Sequence, residues 1–471
     1  MASRTVYFVS ALRGGILWLL ALSLCLGLFG ISLDVGAADG DWASAETPPE
    51  ESRVGSAYLC NVENQIVLYE KNADQIIYPT SSVKIMTGLL ACRSLEDRLE
   101  ETVRITAPML AGSEGRNMGL VTGEEIKIYD LLMAAVCGSY NDAASVVAHL
   151  SAGSVETFVT QMNREAQRIG AERTAYTNPT GLHDPAMVTT ARDTALVARE
   201  ALDNQLFMSL VSTHVHTIPA TNASDARTMT NRNALVSDTG GQYYNGWCRG
   251  MNAGMTDEGG WCVITLWEKN GASNLSVVMN GADVAVGEAI PAYTYTNRLL
   301  NWAGRSYAYR TVLSGGQALD TLPVARTGIS KSKTDVFIPA DLKVYLPSHV
   351  DLGTDVAVTY HIDGGELSAP LTEGQAVGTV TVSYGGRVLG SAPLVVTEAF
   401  EKNGFLIFLE GFRAYLSGRS FLVAVVVFIV LLLIYLKYTT GPGSRYTTKQ
   451  AWRPPKRRKR SFRSLRRSYK P

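Results

Sequence analysis

The chain has 471 residues, 43 Lys and Arg against 43 Asp and Glu, and a hydrophobic share of 46%. That composition excludes a disordered or collagen-like chain and allows two or three globular domains. The zero net charge hides an asymmetry: from Lys437 onward there are 13 Lys and Arg and no acid, whereas Ser32–Leu436 holds 28 basic residues against all 43 acidic ones, a balance of −15.

In chain order, the first apolar run, Ile16–Leu33, follows Arg4 and Arg13 and leads to Val35-Gly36-Ala37, small residues that suit signal-peptidase cleavage after Ala37. The run is long for a signal core, so residues 1–37 read either as a removed signal peptide or as an N-terminal anchor. A polar linker containing proline fills 38–54. Next, "SAYLCNVENQIVLYEKNAD" alternates as two short strands about a turn. Helical periodicity follows in "SVKIMTGLLACRSL", "EEIKIYDLLMAAV", "DAASVVAHL", "VETFVTQMNREAQRIG" and "ARDTALVAREAL". Strands return from about Trp247 to Met279, and "AYTYTNRLLNWAG" closes the segment, so 55–306 is expected to fold as an α+β domain. Residues 307–399 hold short alternating segments cut by Gly, Pro and Asp, the pattern of a small β-sandwich.

Residues 400–420 carry aromatics at mixed spacing and suit an amphipathic helix lying on a membrane surface. Residues 421–438 begin with the uncharged run "FLVAVVVFIVLLLIYL", a short membrane span; a buried core helix would not carry so basic a flank. The positive-inside rule puts the tail, 439–471, in the cytoplasm and the acidic middle outside. Beside such a span the tail reads as retention and attraction to anionic lipid of the bilayer. No groove-reading or base-stacking motif accompanies it, so nucleic acid is not an expected partner.

Three short motifs hold the candidate chemistry. Ser81-Ser82-Val83-Lys84 opens the first apolar helix, where residues three apart share a face and the Lys84 amine comes within reach of the Ser81 hydroxyl. Burial beside Val83, Ile85 and Met86 lowers the lysine pKa, because desolvation disfavours the ammonium, and a neutral amine takes a serine proton. The bland alternative is a capping serine next to a snorkelling lysine, and Ser330–Lys333 repeats the spacing in a loop. Ser139-Tyr140-Asn141 falls at a break between helices: either a hydroxyl that relays a proton and an amide that holds a substrate project there, or the residues only cap a helix. The third stretch, "GMNAGMTDEGGWC", reads as a hairpin turning across Thr256–Gly260, with Asn252, Ala253, Gly254 and Met255 on one strand.

The six cysteines lack CxxC spacing, so neither a zinc site nor a dense disulfide scaffold is suggested. Cys248 and Cys262 flank the hairpin, and a cross-strand disulfide between them is one hypothesis. His214 and His216 lack further ligands nearby and read as structural, while His183 and Asp184 shape a loop beside the cleft.

The order Ser-x-x-Lys, Ser-x-Asn and a hairpin triplet resembles the serine-type D-alanyl-D-alanine carboxypeptidases, the low-molecular-weight penicillin-binding proteins, with a degenerate third motif. "YEKNAD", "YPTSSVKIMT", "GSYNDAA", "NPTGLHDP", "TMTNRNAL" and "GMTDEGGW" carry the same resemblance, which runs from about Ser56 through the small β-domain. It implies a transpeptidase-like domain of β-lactamase type, with an antiparallel sheet and helices, followed by a small all-β domain. It also implies Ser81 as the acylated nucleophile, Lys84 as its base, Ser139 as proton relay, Asn141 as amide-binding residue, and the backbone N–H groups of Ser81 and Met255 as oxyanion donors. The implied substrate is a peptidoglycan stem peptide ending in D-Ala-D-Ala, with β-lactams acylating the same serine and no cofactor or metal required.

The third motif departs from this pattern, since Lys-Thr-Gly is replaced by Asn252-Ala253-Gly254. Losing one charge-assisted and one neutral hydrogen bond removes ~2–4 kcal/mol of binding or transition-state stabilisation, roughly thirty- to a thousandfold in rate. Arg249 is near, but period-2 alternation turns it from the face of Asn252. Two functions are expected from this: a membrane-anchored carboxypeptidase of weakened activity, or a homologue that keeps the fold and binds wall peptide or a partner without turnover. A β-lactamase is disfavoured, because no Glu-x-x-Leu-Asn-like deacylation element is found.

Overall fold

The computed structural model describes residues 45–327 and 332–440. The expected signal peptide, the start of the linker, the basic tail beyond residue 440 and Ser330 of the second Ser-x-x-Lys copy lie outside the described residues. Two compact units divide the chain: one reaches Asp320 and adds Val336–Gly365 and Ala376–Val395, and the other comprises Thr321–Asp335, Glu366–Gln375 and the chain from Val396.

The first unit is built on strands β1 (Val54–Asn61) and β2 (Val67–Lys71). Two small antiparallel ribbons follow: β3 (Thr102–Arg104) with β4 (Glu125–Lys127), and β5 (Val215–Ile218) with β6 (Arg227–Thr230). The meander β7 (Cys248–Thr256), β8 (Gly260–Lys269) and β9 (Ala272–Gly281) then completes a five-stranded antiparallel sheet of order β2-β1-β9-β8-β7. Alternation along these strands feeds two separate cores. Cys262 and Ile264 of β8 and Leu275, Val277 and Met279 of β9 face the helices, whereas Ala57 and Leu59 of β1, Val263 of β8 and Val278 of β9 face the opposite side. A sheet covered on both faces reads as a nearly continuous apolar run, which is why β8 shows little polar alternation.

The helices are α1 (Val83–Leu95), α2 (Ile128–Val136), α3 (Asn141–Ala152), α4 (Val155–Arg168), α5 (Ala191–Leu202), α6 (Gln205–Val211) and α7 (Pro291–Ser306). The first six contribute to the larger core, and α7 supplies Ala292, Tyr295 and Leu299 to the smaller one. Helix α1 is apolar around most of its circumference and almost entirely buried, as a central helix must be. Gly88 makes room for that position, since a Cβ there would lie 2.8 Å from both Phe207 and Val136.

The hypothesised disulfide is wrong. Cys248 pairs across the sheet with Trp267 and Cys262 with Gly254, with a bulge between Arg249 and Met251. Cys248 belongs to the α7-side core and Cys262 to the helix-side core, and both are free, buried thiols. Their side chains leave opposite faces of the sheet, so proximity in sequence about the turn does not bring them together.

From Tyr307 the chain runs through β10 (Tyr307–Leu313), β11 (Ala318–Ala325), β12 (Lys333–Phe337), β13 (Leu342–Pro347), β14 (Val356–Ile362), β15 (Leu367–Ser368), β16 (Ala376–Tyr384) and β17 (Arg387–Val396). Within the first unit β10 pairs antiparallel with β13, and β16 pairs antiparallel with β14 and with β17. Val344, Leu346, Val350 and Val382 form a small core there. Within the second unit the end of β11 runs parallel to β15. That unit ends in α8 (Gly404–Ser417), with Phe405, Phe408 and Phe412 exposed, and α9 (Arg419–Thr440). Within α9, Phe421–Thr439 is 19 residues of mean hydropathy 2.8, one helix among the described residues long and apolar enough to cross a membrane. At 1.5 Å per residue it is about 28 Å long, close to the hydrocarbon thickness of a bilayer.

Candidate active site

A single 3-10 turn, Thr80–Ser82, runs directly into α1, which puts Ser81 at the helix mouth and Lys84 at its first turn. Lys84 is 4% exposed and donates to Asn141 Oδ1 at 2.7 Å and to the Thr180 carbonyl at 2.6 Å. Burial pulls its pKa down to about 7, and the charges of Arg116 and Arg232 push the same way. A substantial neutral fraction of the amine therefore exists near pH 7, which is what a general base requires.

Helices α2 and α3 meet at Ser139, whose φ of +57° turns the chain sharply between them. Ser139 lines the cleft, while Asn141 uses both ends of its amide inside the protein, accepting from Lys84 and donating to the Glu114 carbonyl at 2.6 Å. Beside it the buried Asp142 carboxylate accepts from the backbone N–H groups of Met118, Gly119 and Leu120 at 3.0–3.1 Å. One acidic side chain thus secures the loop that brings Arg116 to the site. Arg116 in turn donates to the Gly138 carbonyl at 3.0 Å and stacks on Tyr140.

Strand β7 forms the other wall. Gly254 faces Ser81 so closely that a Cβ would lie 2.4 Å from Ser81 Oγ. Asn252, 4% exposed, accepts the Ser81 hydroxyl on its Oδ1 at 2.7 Å. The nucleophile candidate therefore donates its hydrogen bond to an amide oxygen, not to Lys84 as the helical spacing alone suggests. Ala253 takes no part in the cleft: it is fully buried in the α7-side core, as alternation along β7 dictates. Arg249 is ion-paired with Glu268 at 3.1 Å.

The resulting cleft has a volume of about 360 Å³ and is lined by Ser81, Lys84, Ser139, Asn141, Gly254 and Met255 together with Arg116, Arg232 and His183. Sequence reasoning missed the two arginines. Arg116 has no motif around it, and Arg232 is a single base inside the otherwise uncharged "TMTNRNAL", which gives no charge signal of its own. His183 packs edge-on against Tyr78 at 4.6 Å and lies 4.0 Å from Glu258. His216 bonds Asp130 at 2.7 Å.

Helices stacked on a five-stranded antiparallel sheet, with a serine at the mouth of the central helix and a buried lysine one turn behind it, define the class of serine acyl-transfer enzymes. Residues 43–283 match the family D-alanyl-D-alanine carboxypeptidase, and residues 307–402 match the penicillin-binding protein 5 C-terminal domain. The chain belongs to the D-alanyl-D-alanine carboxypeptidase family. The D-alanyl-D-alanine carboxypeptidase DacF of Bacillus subtilis is 27% identical over 361 residues, covering 75% of this chain and 88% of that protein. DacC of Escherichia coli is 26% identical over 380 residues, covering 77% and 87%. The same fold is found in penicillin-binding protein 5 from Haemophilus influenzae, at a TM-score of 0.56 and 23% identity over 76% of this chain and 100% of that one.

Proposed function

We propose that this protein is a serine-type D-Ala-D-Ala carboxypeptidase that acts on peptidoglycan stem peptides through an acyl-serine intermediate, with acylation slowed by Asn252. The observation that carries the reading is Lys84, buried and brought down to about 7 one turn behind Ser81. In the reaction, Ser81 Oγ attacks the penultimate D-Ala carbonyl while neutral Lys84 takes its proton. The peptide bond then breaks, the departing D-Ala amine gains a proton through Ser139, and water releases the shortened peptide from Ser81. Backbone N–H groups of Ser81 and Met255 stabilise the oxyanion, and β-lactams acylate the same serine. Arg232 and Arg116 supply cleft charge for the substrate carboxylate, which partly offsets the missing motif lysine.

The protein is held at the bacterial plasma membrane by Phe421–Thr439, with the cleft outside and the basic tail in the cytoplasm. A second reading, a wall-peptide-binding or partner-binding homologue without turnover, is favoured by one observation: the Ser81 hydroxyl is engaged by Asn252. Labelling of the full-length protein with a fluorescent penicillin, beside Ser81→Ala, and D-Ala release from a pentapeptide separate the two. Serine-dependent label with D-Ala release is expected. Label without release supports the second reading, and absence of serine-dependent label defeats the acyl-enzyme.

A further inference from the structure

We propose that Thr80 is a positioning residue that aims Ser81 and is itself held by the buried thiol of Cys262; this rests on the reading of Ser81 as nucleophile. Thr80 has a φ of +53° and is 3% exposed. A β-branched residue seldom adopts that left-handed region, because its Cβ crowds the neighbouring backbone, and it persists there only where the surroundings over-determine it. Three elements converge to do so. From β8, Cys262 Sγ accepts the Thr80 hydroxyl at 2.9 Å. A Cβ on Gly181 would lie 2.1 Å from the Thr80 carbonyl oxygen, and one on Gly259 would lie 2.2 Å from Thr80 Cγ2, so both glycines close on Thr80 without a side chain.

The same sulfur lies 3.3 Å from Ser81 Oγ, and Cys262 is the cross-strand partner of Gly254, the residue whose absent side chain leaves room for that hydroxyl. Backbone geometry at Thr80 sets the direction in which the next residue leaves the chain. The Thr80–Cys262 contact therefore fixes the aim of Ser81 before substrate arrives. A thiol suits the place, being a weak acceptor that otherwise packs as a small apolar group. Neither residue lines the cleft, so both act through Ser81 and not on the substrate.

A double-mutant cycle on the full-length protein tests this, with Thr80→Gly, Cys262→Ala and the pair, reading the second-order acylation rate for a fluorescent penicillin alongside Tm. Glycine enters the left-handed region without strain but carries no hydroxyl for Cys262 to hold. Cys262→Ala is expected to slow acylation about tenfold when Thr80 is present and by less than about twofold in the Thr80→Gly background. Cys262→Ser, which keeps an acceptor, is expected to recover most of the rate. Additive effects, or a lowered Tm with unchanged acylation of the folded fraction, overturn the inference while leaving the acyl-serine reading intact. A parent protein that takes no Ser81-dependent label overturns both.

Discussion

The Ser81 hydroxyl donates its hydrogen bond to Asn252 Oδ1, an amide oxygen too weakly basic to take the proton, while Lys84 donates to Asn141 and Thr180. On the proposed acyl-serine reading, attack by Ser81 must first break its hydrogen bond to Asn252, whose net worth is ~0.5–1.5 kcal/mol. Asn252→Ala is therefore expected to accelerate penicillin acylation about two- to tenfold, read by stopped-flow fluorescence. A slower variant would mean that Asn252 holds Ser81 in its reactive direction. The Lys84 amine becomes neutral as pH rises through about 7, so acylation is expected to increase with pH across that value. Lys84→Arg, which stays protonated, should be inactive at every pH of the same profile. The closeness of Ser81 to Lys84 and of Ser139 to Asn141 was legible in the sequence because each pair spans a helical turn or less, and the structure lines one cleft with all four. The partner of Ser81 was not, since it depends on how β7 packs beside α1.

At the scale of elements, the cleft depends on two secured segments. The Asp142 carboxylate captures the loop Met118–Leu120 through charge-assisted bonds. Asp142→Ala leaves those three amides, of which Leu120 is buried, without their acceptor and is expected to lose ~1.5–3 kcal/mol of stability, measured by denaturant unfolding. Acylation should fall with it, because the same loop presents Arg116. Strand β7 is secured differently, by the absence of a side chain. Gly254→Ala drives a Cβ to 2.4 Å from Ser81 Oγ, so it should abolish serine labelling while the sheet still folds. Alternation in the sequence located the hairpin but not its register. The bulge at Arg249–Met251 and the turn at Asp257–Gly259 set which residues pair, and this sent Ala253 and Cys248 to the α7 side and Cys262 to the helix side.

At the scale of the whole molecule, the strand pattern after residue 307 was visible in the sequence. The grouping of those strands was not, because period-2 alternation marks a strand without naming its neighbour. The C-terminal helix was the simplest element to find, since an unbroken apolar run needs no partner to be recognised. Its length of about 28 Å suits a spanning helix, whereas α8, with charged residues among its aromatics, suits the interface. These two modes differ in a measurable way. A spanning helix resists alkaline carbonate extraction, and a surface-bound one is released by it. The full-length protein is expected to stay with the membrane pellet. Removal of residues 421–471 should release it with Ser81 labelling retained, because every cleft residue lies in the first unit. Carbonate release of the intact chain would assign membrane attachment to α8 and leave the basic tail on the same side as the cleft.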